Sequence, residues 1–188
     1  MLNELAKQYD FSDISVLVAE HHTYMRQTLR SILRTFNIGE IYEADTPAYA
    51  WELYCKRRPD VVFADWAPNF DGMSLLKRIR RDKLSPNAYV PVIVVTSLTE
   101  QDHVLTARDL GMTEFIAKPF SPKLIFLRLA AVAETPRAFI RTEGFFGPDR
   151  RRRRLPHTPH RREQSEEAQG NEQVSEQSAE REGDRAPA

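Results

Sequence analysis

Cysteine is nearly absent: Cys55 is the only one in 188 residues. A lone thiol excludes an intramolecular disulfide and any zinc site built from cysteines. Long apolar runs are missing too, and no stretch approaches the roughly eighteen consecutive apolar residues of a membrane span. Residues 1–15, "MLNELAKQYDFSDIS", are mixed and acidic and lack the apolar centre of a secretory leader. A soluble, cytoplasmic chain without membrane insertion is therefore expected. Net charge is lacking as well, since 27 basic side chains balance 27 acidic ones. The balance hides a segregation: residues 137–162 carry +7, residues 163–188 carry −6, and residues 1–136 are nearly neutral at −1. Nothing in that near-neutral part points to a nucleic-acid face. Aliphatic side chains fail in the last stretch, where Val174 is the only large one from Gln164 to Ala188. Such a segment cannot bury enough surface to offset its ordering entropy, so a disordered tail is predicted.

What the chain does have is a regular alternation of strand-like and helix-like patterns. "ISVLVA" (14–19) reads as a buried strand, and "TYMRQTLRSILRTF" (23–36) sets Met25, Leu29, Ile32, Leu33 and Phe36 at helical spacing. "EIYEA" (40–44) returns to strand. Thr46 and Pro47 then make an N-cap with proline at the first helical position, opening a helix to about Cys55. The strand "VVFA" follows, then a helix from about Asp71 with Met73, Leu76 and Ile79 on one side. "YVPVIVVTS" (89–97) is the most strand-like run. Thr99 and Asp102 make a capping-box-like start for a helix to Leu110, and Gly111 sits where a helix end favours positive φ. "EFIA" and a helix opened by Ser121 and Pro122 complete five strand and helix pairs. Strict alternation argues for a parallel five-stranded sheet with helices on both faces.

The third strand runs straight into Asp65, and the loop after it holds Pro68, Asn69, Asp71 and Gly72. Asp is common in turns, where its side chain bonds nearby backbone N–H groups. In open α/β sheets, however, chemistry gathers at the carboxyl ends of the strands. The residues at those ends are Glu20, His21 and His22 after the first strand, Asp65 after the third, Thr96 and Ser97 after the fourth, and Lys118 after the fifth. Such a set could hold a divalent cation between carboxylates and an oxyanion on the Lys and Thr.

The blocks "VLVAEHHTYMR", "DVVFADWAPNFDGM", "PVIVVTS" and "DLGMTEFIAKPFSP" resemble the signature blocks of the response-regulator receiver domain of two-component signalling. They stand in the family's order and at its separations, across roughly residues 13–134. The resemblance implies a flavodoxin-like (βα)5 fold and names Asp65 as phosphoacceptor, Thr96 as the switch hydroxyl, Lys118 as the phosphate-binding lysine before a cis Pro119, and Phe115 as the switch aromatic. It implies magnesium, or manganese, on Glu20, Asp65 and the backbone carbonyl of Ala67. His21 stands where the family has a second acid and direct ligand; imidazole suits zinc, manganese or copper better than magnesium. The loop after Asp65 is one residue shorter than is usual. A histidine kinase or phosphotransfer protein would donate the phosphoryl group, and the switch would be displayed on the fourth helix, fifth strand and fifth helix.

The expected organisation is an N-terminal lead-in (1–12), a receiver domain (13–136) and a disordered tail, Arg-rich then acidic (137–188). The expected function is that of a stand-alone response regulator, not an enzyme, whose output is phosphorylation-dependent binding to a downstream protein. Two rivals remain: a degenerate receiver acting as a constitutive interaction module, motivated by His21 and the short loop, and a nucleic-acid-associated regulator working through Arg150–Arg154. For that run a solvated segment or a protein contact is preferred over nucleic acid, because no recognisable binding element accompanies it.

Overall fold

The apolar runs pair side by side in one sheet because strands buried on both faces need helices above and below. The computed structural model describes residues 9–134 and 137–149. Its strands β1 (Ser15–Ala19), β2 (Glu40–Ala44), β3 (Val61–Trp66), β4 (Val92–Thr96) and β5 (Glu114–Ala117) form a parallel sheet in the order β2-β1-β3-β4-β5. The helices are α1 (Thr23–Thr35), α2 (Pro47–Arg57), α3 (Gly72–Arg81), α4 (Gln101–Asp109) and α5 (Pro122–Glu134). The expected (βα)5 architecture is therefore present.

The side-chain alternation of each strand divides the core in two. Val16, Val18, Phe63, Ile93 and Val95 face a layer made with Leu29 and Leu33 of α1 and Ile125, Phe126 and Leu129 of α5. Leu17, Val62, Val92 and Val94 face the other way, toward Tyr54 of α2, Leu76 and Ile79 of α3, and Ala107 of α4. Local signals act as expected at most helix ends. Thr46 accepts from the Tyr49 N–H at 3.3 Å, Asp71 from the Ser74 N–H at 2.9 Å, and Ser121 from the Leu124 N–H at 3.2 Å. Gly111 has φ +94°, a conformation that strains residues carrying a Cβ. At α4 the expected cap is displaced: Glu100, not Thr99, is the N-cap, and it makes no side-chain cap bond.

Two assigned boundaries need correction. The lead-in is not wholly peripheral, because Phe11 is 2 % exposed in the α1/α5 core, with Tyr9 and Phe126 around its ring. The tail expected from residue 137 also contains structure. β6 (Phe139–Arg141) and β7 (Phe146–Pro148) form an antiparallel hairpin. Phe139 and Phe146 close an aromatic trio with Tyr89, with ring centroids 5.1–5.5 Å apart. Three buried or half-buried aromatics and glycines gave the segment more apolar surface than its arginines suggested. Residues 150–188, including Arg150–Arg154 and the acidic stretch, lie outside the described residues.

The connection from α3 to β4 is held by Tyr54, whose hydroxyl donates to the Asn87 carbonyl at 2.6 Å and accepts from the Asn87 N–H at 3.2 Å. Tyr54→Phe keeps the ring but takes away the partner of the Asn87 N–H and one of the two donors to the Asn87 carbonyl, which keeps the Val90 N–H at 3.1 Å. Its expected cost is about 1–2 kcal/mol, measurable as a lower urea midpoint with an unchanged slope.

Candidate functional site

A parallel sheet brings the ends of β1, β3, β4 and β5 to one edge, and the ends of these strands carry polar side chains in an otherwise apolar core. Glu20, Asp65 and Thr96 are 1 %, 3 % and 0 % exposed. Buried carboxylates require a countercharge, and Lys118 supplies it. Its Nζ donates to Glu20 Oε2 and to Asp65 Oδ1, each at 2.7 Å. The second oxygen of Glu20, Oε1, accepts the His22 backbone N–H at 2.8 Å. The Lys118–Pro119 peptide bond is cis, as expected.

Burial dominates the acidity of Asp65 and raises its pKa from 3.8 to about 6; Lys118 opposes the shift, and the neighbouring Glu20 carboxylate adds to it. At neutral pH the group is still mainly ionised, though with a proton affinity well above that of an exposed aspartate.

Thr96 ends β4 but does not bond to Asp65. Its hydroxyl donates to the Trp66 carbonyl at 2.5 Å and accepts the Leu98 N–H at 2.9 Å. The hydroxyl is thus parked on backbone one residue beyond the carboxylate. Phe115 on β5 is half-buried against the cluster on the α2/α3/α4 side. His103 of α4, which carried no signal in the sequence, packs edge-on against Trp66 with ring centroids 5.1 Å apart. Only the register between β3 and the helix after β4 brings the two together.

The structure separates His21 from this group. Its ring is exposed and its Nδ1 lies 3.4 Å from the Asp45 carbonyl, so it is not placed among the ligands expected of it. The short loop is a tight turn in which Phe70 N–H donates to the Ala67 carbonyl at 2.9 Å and accepts the returning bond from Ala67 N–H at its own carbonyl, 3.1 Å. Gly72 closes it against the strand: a Cβ there would lie 1.9 Å from the Asp65 carbonyl oxygen. No group of three or more His, Cys, Asp or Glu suited to a metal occurs among the described residues. The oxygen donors at these strand ends are the two buried carboxylates of Glu20 and Asp65. An all-oxygen set of this kind fits a hard divalent cation that keeps several waters.

Residues 16–130 match the response regulator receiver domain family. The chain is 29 % identical over 124 residues to a chemotaxis protein CheY homolog of Campylobacter jejuni, covering 65 % of this chain and 94 % of that one. It is 29 % identical over 119 residues to the phosphate regulon transcriptional regulatory protein PhoB of Pseudomonas aeruginosa, covering 63 % of this chain but only 51 % of the relative. The match thus spans about half of that protein's length. Among solved structures, the Francisella response regulator 1452 receiver domain is 27 % identical with a TM-score of 0.56, over 63 % of this chain and 95 % of that one. Vibrio cholerae chemotaxis protein CheY4, at 23 % identity and a TM-score of 0.58 over 63 % of this chain and 98 % of its own, shares the fold. No described helix is long and apolar enough to cross a membrane.

Proposed function

Because this chain belongs to the response-regulator receiver family, we propose that it accepts a phosphoryl group on Asp65 from the phosphohistidine of a histidine kinase or phosphotransfer protein and signals by a changed affinity for a downstream protein. The single observation carrying this reading is the lysine bridge: one ammonium held 2.7 Å from each of two buried carboxylates. That arrangement keeps an ionised oxygen nucleophile at a strand end, with a positive charge already at the position phosphoryl oxygens would take.

The ionised carboxylate of Asp65 attacks phosphorus while the P–N bond to the donor imidazole breaks, and the proton needed by the leaving nitrogen comes from the donor side. Lys118 exchanges a carboxylate oxygen for a phosphoryl oxygen. Thr96 leaves the Trp66 carbonyl and donates to the phosphoryl group. The move loosens the connection after β4 and opens room beside it for Phe115, which carries the change to the face of α4, β5 and α5. Glu20, Asp65 and the Ala67 carbonyl would hold magnesium, which when bound neutralises charge on the transferring group. With two carboxylates in place of the family's usual three, and His21 turned away, magnesium is held weakly and manganese is a workable substitute.

The test is intact-protein mass after incubation with acetyl phosphate and either metal. A species heavier by one phosphoryl group is expected, needing more magnesium than a His21→Asp variant does. Because protonated Asp65 cannot attack, the yield should fall as pH is lowered through about 6. If neither acetyl phosphate nor a panel of histidine kinases phosphorylates the chain, the constitutive interaction module replaces this reading.

A further inference from the structure

The hairpin lies outside the residues that match the family, and it creates a surface at the edge of the sheet opposite Asp65. Tyr89 precedes β4 and Gly111 precedes β5, so both lie at the amino ends of parallel strands. The hairpin seats there: a Cβ on Gly111 would meet the Phe146 carbonyl at 2.6 Å, and Arg81 at the end of α3 donates to the Gly144 carbonyl at 3.1 Å. Packing of this closeness makes the hairpin part of the surface and not an appendage.

Apolar groups remain uncovered on this edge. Leu84 is 76 % exposed, Tyr89 56 % and Ile140 38 %. Tyr89 packs against Phe139 of β6, and Leu84 lies on the same connection from α3 to β4 as Tyr89. Exposed cations lie on the same segments. Lys77, Arg81, Lys83 and Arg141 have no ion pair among the described residues, and Arg141 lies over the Phe146 ring at 4.4 Å. The acids nearby in sequence are Asp82, held by Arg78 at 3.2 Å, Glu143, and Asp149. From Asp149 the chain runs on into Arg150–Arg154. Exposed apolar side chains interspersed with cations on adjoining segments are the material of a protein interface.

We propose that this edge, built from the end of α3, the 82–90 connection and the β6–β7 hairpin, docks an acidic, apolar-bearing segment of a partner protein. Charge complementarity selects the acids of the partner, and Leu84, Tyr89 and Ile140 select its apolar side chains. Leu84 and Ile140 argue for protein over nucleic acid, because aliphatic side chains offer no flat face on which bases stack. The surface is remote from the phosphoacceptor, so docking here is constitutive and separate from the phosphorylation-dependent output.

The test uses the full chain and a fluorescein-labelled amphipathic peptide of Glu and Leu, with its Gln and Leu analogue as the uncharged control. Anisotropy should show binding of the acidic peptide and at least a roughly tenfold weaker Kd for the control. Lys83→Glu combined with Leu84→Ser alters two exposed side chains and should weaken binding by about tenfold. Arg81→Gln with Arg141→Gln should do the same. Asp65→Asn should bind as wild type does, which separates this proposal from the phosphoryl-acceptor reading. Changing Arg150–Arg154 to Gln should leave most of the affinity. Equal affinity for both peptides, no effect of the surface variants, loss confined to the Arg150–Arg154 variant, or tighter binding to poly(U) RNA or to phosphatidylserine vesicles would each overturn the proposal.

Discussion

Asp65→Asn abolishes phosphorylation by acetyl phosphate and at the same time raises the melting temperature by about 4–8 °C at pH 7.5 in metal-free buffer. Both effects follow from one carboxylate. Asparagine lacks the anionic oxygen that attacks phosphorus, so no phosphorylated mass is expected in any metal. The stability gain follows from linkage. Burial raises the Asp65 pKa from 3.8 to about 6, so the folded chain binds a proton more tightly than the unfolded one. Its contribution is therefore favourable below about pH 4 and is lost as pH rises toward and past 6, leaving a penalty at neutral pH. Asn removes the penalty but also gives up a charge-assisted bond from Lys118, so the net gain is roughly 1–2 kcal/mol. Lys118→Met should act in the opposite direction, costing about 3 kcal/mol or more at pH 7.5, because two buried carboxylates then face each other without a cation. That loss should shrink as pH is lowered and the carboxylates protonate. Thermal melts of the three proteins across about pH 5 to 8 check both signs. Equal melting temperatures would mean that neither the burial of the Asp65 charge nor its pairing with Lys118 bears on stability.

The parallel sheet and the polar ends of its strands were legible because they are written locally. Val61–Ala64 are apolar on both faces, Thr46 and Ser121 cap the helices that follow them, and the polar end of each strand falls at a fixed place in the repeat. Parallel topology then does the remaining work of bringing Glu20, Asp65, Thr96 and Lys118 to one edge. Orientation was not legible. His21 and Glu20 are neighbours in sequence, but successive residues after a strand point apart, and the imidazole went to the Asp45 carbonyl while the carboxylate went inward. The hairpin was also missed, since its strands are three residues each and its partners, Tyr89, Arg80 and Gly111, are far away in sequence. Composition weighed the arginines that follow and not the Phe139, Phe146 and Gly147 that pack.

Arg80→Met lowers stability by about 3 kcal/mol or more and releases the hairpin to protease. Arg80 is 3 % exposed, although it belongs to a run, Arg78, Arg80 and Arg81, that reads as a solvated helix end. Its Nε donates to the Gly111 carbonyl at 2.9 Å, and one terminal nitrogen donates to the carbonyls of Ala88 at 2.9 Å and Val90 at 2.7 Å. The guanidinium also lies over the Phe139 ring at 5.2 Å. It therefore joins α3, the connection into β4, the turn before β5 and the hairpin through one rigid planar group. Burial pushes its pKa down to about 10, so it remains charged at neutral pH. Methionine can follow the aliphatic stem and fill most of its volume, which removes the desolvation of a cation from the folded state. It offers no donor, so the two buried carbonyls of Gly111 and Val90 lose their partner, at about 1–3 kcal/mol each, and the half-buried Ala88 carbonyl loses one as well. The partial offset leaves a net loss near the stated value. Lysine should rescue little, because one ammonium at the end of a flexible chain cannot span acceptors fixed in the plane of a guanidinium. Urea denaturation gives the stability, and brief proteolysis followed by mass analysis shows whether cleavage moves into residues 137–149. An Arg80→Met protein with wild-type stability and a protected hairpin would show that the three carbonyls are satisfied in another way.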